Sequence, residues 1–311
     1  MITIYRKTKH ADAFAVIEEF KAGSWIEMIN PTEAEIHKVS NELEIPVDFL
    51  TTPLDEEERS RIDQENGNVL VVLRTPYYDK PKHRYETMPI GIVMTPSLTI
   101  TVSLHDNEVL SEMRGNSLKG SLYTTMKTRL LLQTFRRITS FYVNYLGKIE
   151  KTVEGMETSL LRSFRNQDVV RFLDIQKSLI YFNNGLMANQ SVLDRITKGT
   201  FMTLYEEDQD LLDDITVENK QALDSVSIYS NILTSTMDAY ASIVSNNLNE
   251  VMKFLASVTI IFSIPTVITS FFGMNVPLPL SAYPLATIVI TLITALIALL
   301  TVYLFHKKNL L

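Results

Sequence analysis

The chain has no cysteine among its 311 residues. That removes disulfides, thiolate metal sites and cysteine nucleophiles from consideration together. Charge is missing from one place in particular: residues 254–305 contain no Asp, Glu, Lys, Arg or His. The formal net charge is −7, which argues against a nucleic-acid binder, since neutralising phosphates takes clustered Lys and Arg. The opening stretch MITIYRKTKHADAFAV has no sustained apolar core. A cleaved signal peptide is therefore not expected, and the N-terminal part is expected to stay in the cytoplasm. A glycine-rich phosphate loop, a nucleophile elbow and a His pair at metal-ligand spacing are also lacking. His10, His37, His83 and His105 are scattered along the chain, and no nucleophile, base and orienting group can be assembled, so an enzyme is not expected.

Two uncharged runs stand where the charge is missing. Residues 254–272 read FLASVTIIFSIPTVITSFF and residues 285–305 read LATIVITLITALIALLTVYLF. A hydrocarbon core of about 30 Å takes about 20 residues of helix, so each is long enough to span a bilayer. Lys253 precedes the first run, and His306, Lys307 and Lys308 follow the second. Basic flanks favour the cytoplasmic side. The expectation is a hairpin in the cell membrane with both termini inside and the intervening loop outside. Pro265 lies inside the first run; it would kink the helix there or find a neighbour or hydroxyl for the carbonyl it frees.

Ahead of the runs, the texture divides again. Residues 2–5, 69–74, 89–95 and 98–103 are rich in Val, Ile and Thr and bounded by turn residues, as strands are. PTEAEIHKVSNELEI (31–45) has helical spacing and a capping box from Thr32 to Glu35. From Thr124 the spacing predicts long helices: 124–161, a turn at RNQD (165–168), 168–198 with Gly199 as a C-cap, and a third from about Glu206. That third pattern meets no Gly or Pro until Pro265. If continuous over 215–272 it is a rod of roughly 87 Å at 1.5 Å per residue, the first span being its far end. The fold class expected is α+β: a cytoplasmic α/β domain (1–120), a long-helix and stalk region (121–253), and a two-span hairpin with a basic tail (254–311).

Two stripes run along this rod. The apolar one passes through Leu223, Val226, Leu233, Met237, Tyr240, Val244, Leu248, Val251 and Leu255, a seam for packing on other helices. The polar one passes through Asp210, Asp214, Gln221, Asp224, Asn231, Ser235, Asp238, Ser242, Ser245 and Asn249. It continues past the membrane boundary as Met252, Ala256, Thr259, Ser263, Thr266 and Ser270. At 100° per residue the positions from Asn249 to Ser270 share an arc of roughly 100°. Such residues line ordinary membrane helix contacts, and the second run has its own set at Thr287, Thr291, Thr294 and Thr301. They also suit a water-filled path lined by oxygen. From Glu206 to Met252 there are ten acidic residues and one basic residue, a one-signed approach that would concentrate cations. Oxygen ligands suit hard divalent ions, Mg²⁺ above all. One hairpin cannot enclose a path, so several copies must assemble around an axis.

Gly273, Met274 and Asn275, directly after a first span in a C-terminal hairpin, resemble the GMN signature of the CorA magnesium transporters. SNNLNEVMK (245–253) is similar to that family's approach to the membrane, and IPVDFLTTPLDEEERSRIDQENGNVLVVLRTP (45–76) to its cytoplasmic domain. The resemblance covers essentially the whole chain. It implies a homopentamer that carries Mg²⁺, with Co²⁺ or Ni²⁺ as further cargo, and no nucleic acid. It makes Asn275 the outer selectivity residue, with Gly273 and Met274 shaping the loop and Asn249 and Met252 lining the inner pore. Met252 and Leu255 could gate by dewetting. Regulatory Mg²⁺ between subunits would fall to Asp214 with Asp213 beside it, and, as other registers of the acidic run, to Asp210, Asp224 and Asp238. The loop VPLPLSAYP (276–284) departs from relatives that carry MPEL: it has no acid. Rivals are a related Zn²⁺ transporter, proton-coupled or outward, and a membrane-anchored sensor or scaffold without flux.

Overall fold

The computed structural model describes residues 1–8, 11, 13–115, 122–160, 166–199, 201–274, 276 and 284–308. These form two compact units, 1–234 and 235–311. The first contains seven strands: β1 (Ile2–Arg6), β2 (Ala15–Ile17), β3 (Trp25–Ile29), β4 (Arg61–Glu65), β5 (Asn68–Asp79), β6 (Arg84–Met94) and β7 (Thr99–Ser103). They make one sheet in the order β2-β1-β3-β7-β6-β5-β4. Only β3 and β7 pair in parallel; the other neighbours are antiparallel. Helices α1 (Glu33–Leu43), α2 (Val47–Thr51) and α3 (Glu108–Arg114) are short. Long helices follow: α4 (Lys127–Leu160), α5 (Asn166–Lys198), α6 (Glu206–Phe272) and α7 (Ala286–Lys307).

The sheet buries both faces, which is why its central strands read as near-continuous apolar runs rather than alternating ones. Ile26, Met28, Leu70, Val72, Val93, Ile100 and Val102 pack with Ile36 and Val39 of α1 and Phe49 and Leu50 of α2. The helices α4 and α5 lie against β5 and β6, where Phe135, Tyr142, Phe182 and Leu186 are fully or almost fully buried. Two of the sequence-read strands, 2–5 and 98–103, coincide with β1 and β7 to within a residue; 69–74 is the first half of β5 and 89–95 covers the second half of β6. The capping box is formed: Thr32 Oγ1 accepts from the Glu35 N–H at 3.3 Å, and Glu35 Oε2 accepts from the Thr32 N–H at 2.9 Å. Helix α5 already includes Asn166 and Gln167, so the turn read at 165–168 is corrected: at Asn166 the chain is helical, and 161–165 lie outside the described residues. The third helix is unbroken from Glu206 to Phe272 and continues through Pro265.

Polar side chains fix α5 and α3 to the sheet. Asn189 of α5 is completely buried. Its Oδ1 accepts from Ser60 Oγ (2.8 Å) and from the Arg74 N–H (2.9 Å), and its Nδ2 donates to the Arg74 carbonyl (2.9 Å). On β3, the buried Glu27 receives both Arg114 Nη1 contacts, at 2.9 and 2.8 Å, from the last residue of α3. Burial without such partners would cost several kcal/mol, so these bonds position the helices as much as they stabilise them. Replacing Asn189→Leu strands the Arg74 N–H in the interior. We expect a loss of about 3 kcal/mol, typical of an orphaned buried network, read as a lower urea midpoint for the detergent-solubilised chain.

Candidate functional site

The second unit holds the far part of α6, from Ser235, together with α7. Both contain an apolar segment long enough to cross a membrane. Within these segments Ser257 and Thr294 are the buried residues, at 4% and 8% exposure. Half-buried positions on α6 after Lys253 are Val258, Ile261, Ile264, Pro265, Ile268 and Phe272. With Ser257 they share one arc, and on α7 Ala286, Ile290, Thr294, Ala298, Thr301 and Phe305 do likewise. These are the faces on which the hairpin closes. Ile261, whose carbonyl loses its donor to Pro265, lies on that face. Small residues at Ser257, Thr294, Ala298 and Thr301 allow the close approach that membrane helices need. Of the hydroxyl set of the second run, Thr294 and Thr301 thus fall on a packing face, while Thr287 and Thr291 are exposed.

The polar arc of the first run falls elsewhere. Asn249, Met252, Ala256, Thr259, Ser263, Thr266 and Ser270 are all exposed, as is Leu255. At 100° per residue, the centre of their arc lies roughly 170° from the centre of the hairpin face. The oxygen-bearing side is therefore turned away from α7, and among the described residues nothing covers it. The apolar seam changes character along the same helix. Val226 and Leu233 are buried and Leu223, Met237 and Tyr240 half-buried, but Val244, Leu248, Val251 and Leu255 are exposed. From Val244 on, the seam has apolar surface that no described residue covers.

Just past the helix end the Gly273 N–H donates to the Thr269 carbonyl at 2.9 Å, and the Met274 N–H to the Phe271 carbonyl at 3.4 Å. A Cβ at Gly273 would sit 3.2 Å from the Thr269 carbonyl oxygen, so the tightness of this exit favours glycine. Gly273 and Met274 are exposed. Asn275 lies outside the described residues, as do 277–283 of the loop.

The regulatory candidates Asp210, Asp213, Asp214, Asp224 and Asp238 are all exposed; Asp213 Oδ1 accepts from Gln209 Nε2 at 3.2 Å. Among the described residues no three His, Asp or Glu side chains are grouped to hold a metal within one chain. Asp208, which the stripe reading passed over, is buried and faces Arg129 Nη1 at 3.5 Å, beside the Glu207–Arg129 pair at 2.9 Å. A helix start with three acids gave no means of telling the buried one from its neighbours. A cavity of about 750 Å³ opens there, lined by the first turn of α4 and residues 201–208. Its two basic side chains are already engaged, Lys127 by the carbonyls of Thr95 and Pro96 and Arg129 by the acids.

Against known proteins, the family model described as CorA-like Mg²⁺ transporter protein matches residues 20–307. The cobalt/magnesium transport protein CorA of Methanocaldococcus jannaschii is 28% identical over 295 residues, covering 92% of this chain and 90% of that one. The protein of the same name from Thermotoga maritima is 23% identical over 312 residues, covering 98% and 89%. The complete structure of the CorA magnesium transporter from Methanocaldococcus jannaschii superposes with a TM-score of 0.88 at 24% identity, covering 100% of this chain and 99% of that one.

The hairpin faces make a direct prediction. Ser257→Leu or Thr294→Leu overfills a close contact and should cost about 1–3 kcal/mol, seen as a lower melting temperature in detergent. Leu292→Ala, on an exposed position of α7, should stay within about 0.5 kcal/mol.

Proposed function

The chain belongs to the CorA-like Mg²⁺ transporter family, and we propose that it is a homopentameric channel for potential-driven, Mg²⁺-gated entry of Mg²⁺, with Co²⁺ and Ni²⁺ as further cargo. That it is a divalent cation transporter of the membrane and not an enzyme follows from the family itself. The observation that carries the finer reading is the placement of the polar arc. A hydroxyl-bearing face roughly opposite the hairpin contact is the side that copies would turn toward a common axis. Both termini then lie in the cytoplasm and Gly273, Met274 and Asn275 outside.

In this mechanism the ring of Asn275 side chains receives the ion with its water, since Mg²⁺ gives up water reluctantly. The ion then passes Ser270, Thr266, Ser263, Thr259 and Ala256, and reaches Leu255, Met252 and Asn249 at the inner end. Leu255 and Met252 form the constriction that closes by dewetting. Two charges falling through 100 mV release about 4.6 kcal/mol, so no coupled proton is needed. The uncharged stretch 254–305 offers none of the titratable groups that proton coupling normally uses.

Closure is assigned to Mg²⁺ bridging exposed carboxylates of neighbouring copies. Asp213 and Asp214 are the first candidates, with Asp210, Asp224 and Asp238 as alternatives. Their exposure leaves them open to a second copy. When cytoplasmic Mg²⁺ falls, unscreened carboxylates repel and the helices part.

Flux into liposomes under a fixed potential tests this. Asn275→Ala should lower Mg²⁺ entry at least tenfold; wild-type entry in that variant would remove its assigned role. In Asp213→Ala with Asp214→Ala, inhibition by internal Mg²⁺ should weaken, and unchanged inhibition would exclude both as the sensor. Zn²⁺ entry that exceeds Mg²⁺ entry and follows a pH gradient would replace this reading with zinc transport.

A further inference from the structure

We propose that the cavity at the start of α6 binds a linear aliphatic amine of the diamine or polyamine class. One ammonium sits on the buried carboxylate of Asp208, and the methylenes lie along the apolar wall. The cavity lies wholly within the first unit. Its volume of about 750 Å³ is in the range that small organic ligands fill. The wall beside Asp208 is held in place by hydrogen bonds. Thr128 Oγ1 of α4 donates to the Thr203 carbonyl at 3.1 Å, and the Tyr205 carbonyl accepts from the Asp208 and Gln209 N–H groups at 2.9 and 3.0 Å.

The Asp208 side chain is 5% exposed. A carboxylate so buried needs several donors. Among the described residues its side chain has one partner, Arg129 Nη1 at 3.5 Å, longer than a good charge-assisted hydrogen bond. Glu207 takes the same nitrogen at 2.9 Å. Glu206, also in the lining, is exposed. Lys127 is folded onto the Thr95 and Pro96 carbonyls. Three acids thus stand against two bases in the lining, the bases are turned to the protein's own oxygens, and Asp208 still lacks a close donor. An ammonium brings three donors on one atom.

The rest of the lining selects the body that carries it. Val69, Met94, Met126 and Met202 offer a hydrated metal ion nothing, but they can close on a chain of methylenes, methionine being adaptable in shape. Among the described residues no three His, Asp or Glu side chains are grouped to hold a bare metal. The Tyr205 ring, 70% exposed, supplies a π face for a second ammonium. The Phe201 ring is already taken by Arg195, at 5.3 Å.

Isothermal titration calorimetry on the full chain in detergent tests this, with 1,3-diaminopropane, 1,5-diaminopentane and spermidine as probes. Binding should tighten about tenfold from the first diamine to the second, since each buried methylene is worth up to about fourfold. Asp208→Asn should weaken spermidine at least tenfold, and Glu206→Gln and Tyr205→Leu about threefold each. Glu42→Gln, at an exposed acid of α1, should change nothing. Where Asp208→Asn does not fold, Glu206→Gln combined with Tyr205→Leu, both at exposed positions, serves in its place. Wild-type spermidine binding in the variant used, an equal loss in Glu42→Gln, no gain with chain length, or full displacement of spermidine by equimolar Mg²⁺ would each overturn the proposal. The readout is binding rather than flux, so the site stands or falls apart from the channel reading.

Discussion

An oxygen atom on a membrane-crossing helix must find a proton donor, a proton acceptor or water, because hydrocarbon supplies none. In α6 the hydroxyls of Thr259, Ser263, Thr266 and Thr269 each spend a proton on a carbonyl one turn earlier. Thr291, Thr294 and Thr301 of α7 do the same. For these seven, donation is settled locally, but acceptance is not. On α7, Thr294 and Thr301 lie on the packed side. On α6 the arc from Asn249 to Ser270 lies outside the hairpin contact. That difference between two similar-looking helices is what separates a packing stripe from a surface that requires water, and the proposed assembly around an axis follows from it.

The first unit works under a different constraint. Its sheet is covered on both faces, so a polar group inside it is costly unless another group answers it. Asn189 answers Arg74 and Ser60, and Arg114 answers Glu27. Asn219 of α6 donates to the Leu186 carbonyl and to Gln190 Oε1 of α5. These contacts attach the start of α6 to a rigid platform. Beyond Tyr240 the same helix presents exposed apolar residues at Val244, Leu248 and Val251. A helix anchored by polar bonds at one end and apolar but uncovered further along is suited to association with copies of itself.

Much of this was readable from residue order, and the failures have definite causes. The long helices were legible because periodicity over dozens of residues is a strong signal. Three strands were not. β2 is three residues long, β4 (RIDQE) is a polar edge strand, and β3 (WIEMI) carries Glu27 into the core. Arg114, 87 residues away, and Tyr5 on β1, whose hydroxyl donates at 3.4 Å, make that burial tolerable, and no local pattern announces such partners. The far half of β5 was lost because Pro76 and Tyr77–Asp79 look like a turn, whereas Pro76 pairs with Thr87 within the long hairpin to β6. In the site, which of the two hydroxyl stripes would be covered could not be decided from spacing, because both have it. Burial of Thr294 and half-burial of Thr301 place part of the second stripe on the packed side, while every member of the first from Asn249 to Ser270 is exposed.

The absence of charge from residues 254–305 constrains the mechanism further. Moving a bare divalent ion out of water costs tens of kcal/mol, and only close formal charges or a complete oxygen cage could offset it. This segment has no formal charge, and its loop lacks the acid that the compared pattern carries. Neutral hydroxyls and amides can offset the loss of bulk water around an already hydrated ion, since each exchanges one hydrogen bond for another at a net of about 1 kcal/mol. In the proposed channel, an uncharged path therefore argues for an ion that keeps its first water shell. It also explains why the acids are gathered before the span, between Glu206 and Glu250: there they can act on the ion through water, without the desolvation that a carboxylate within the membrane would suffer.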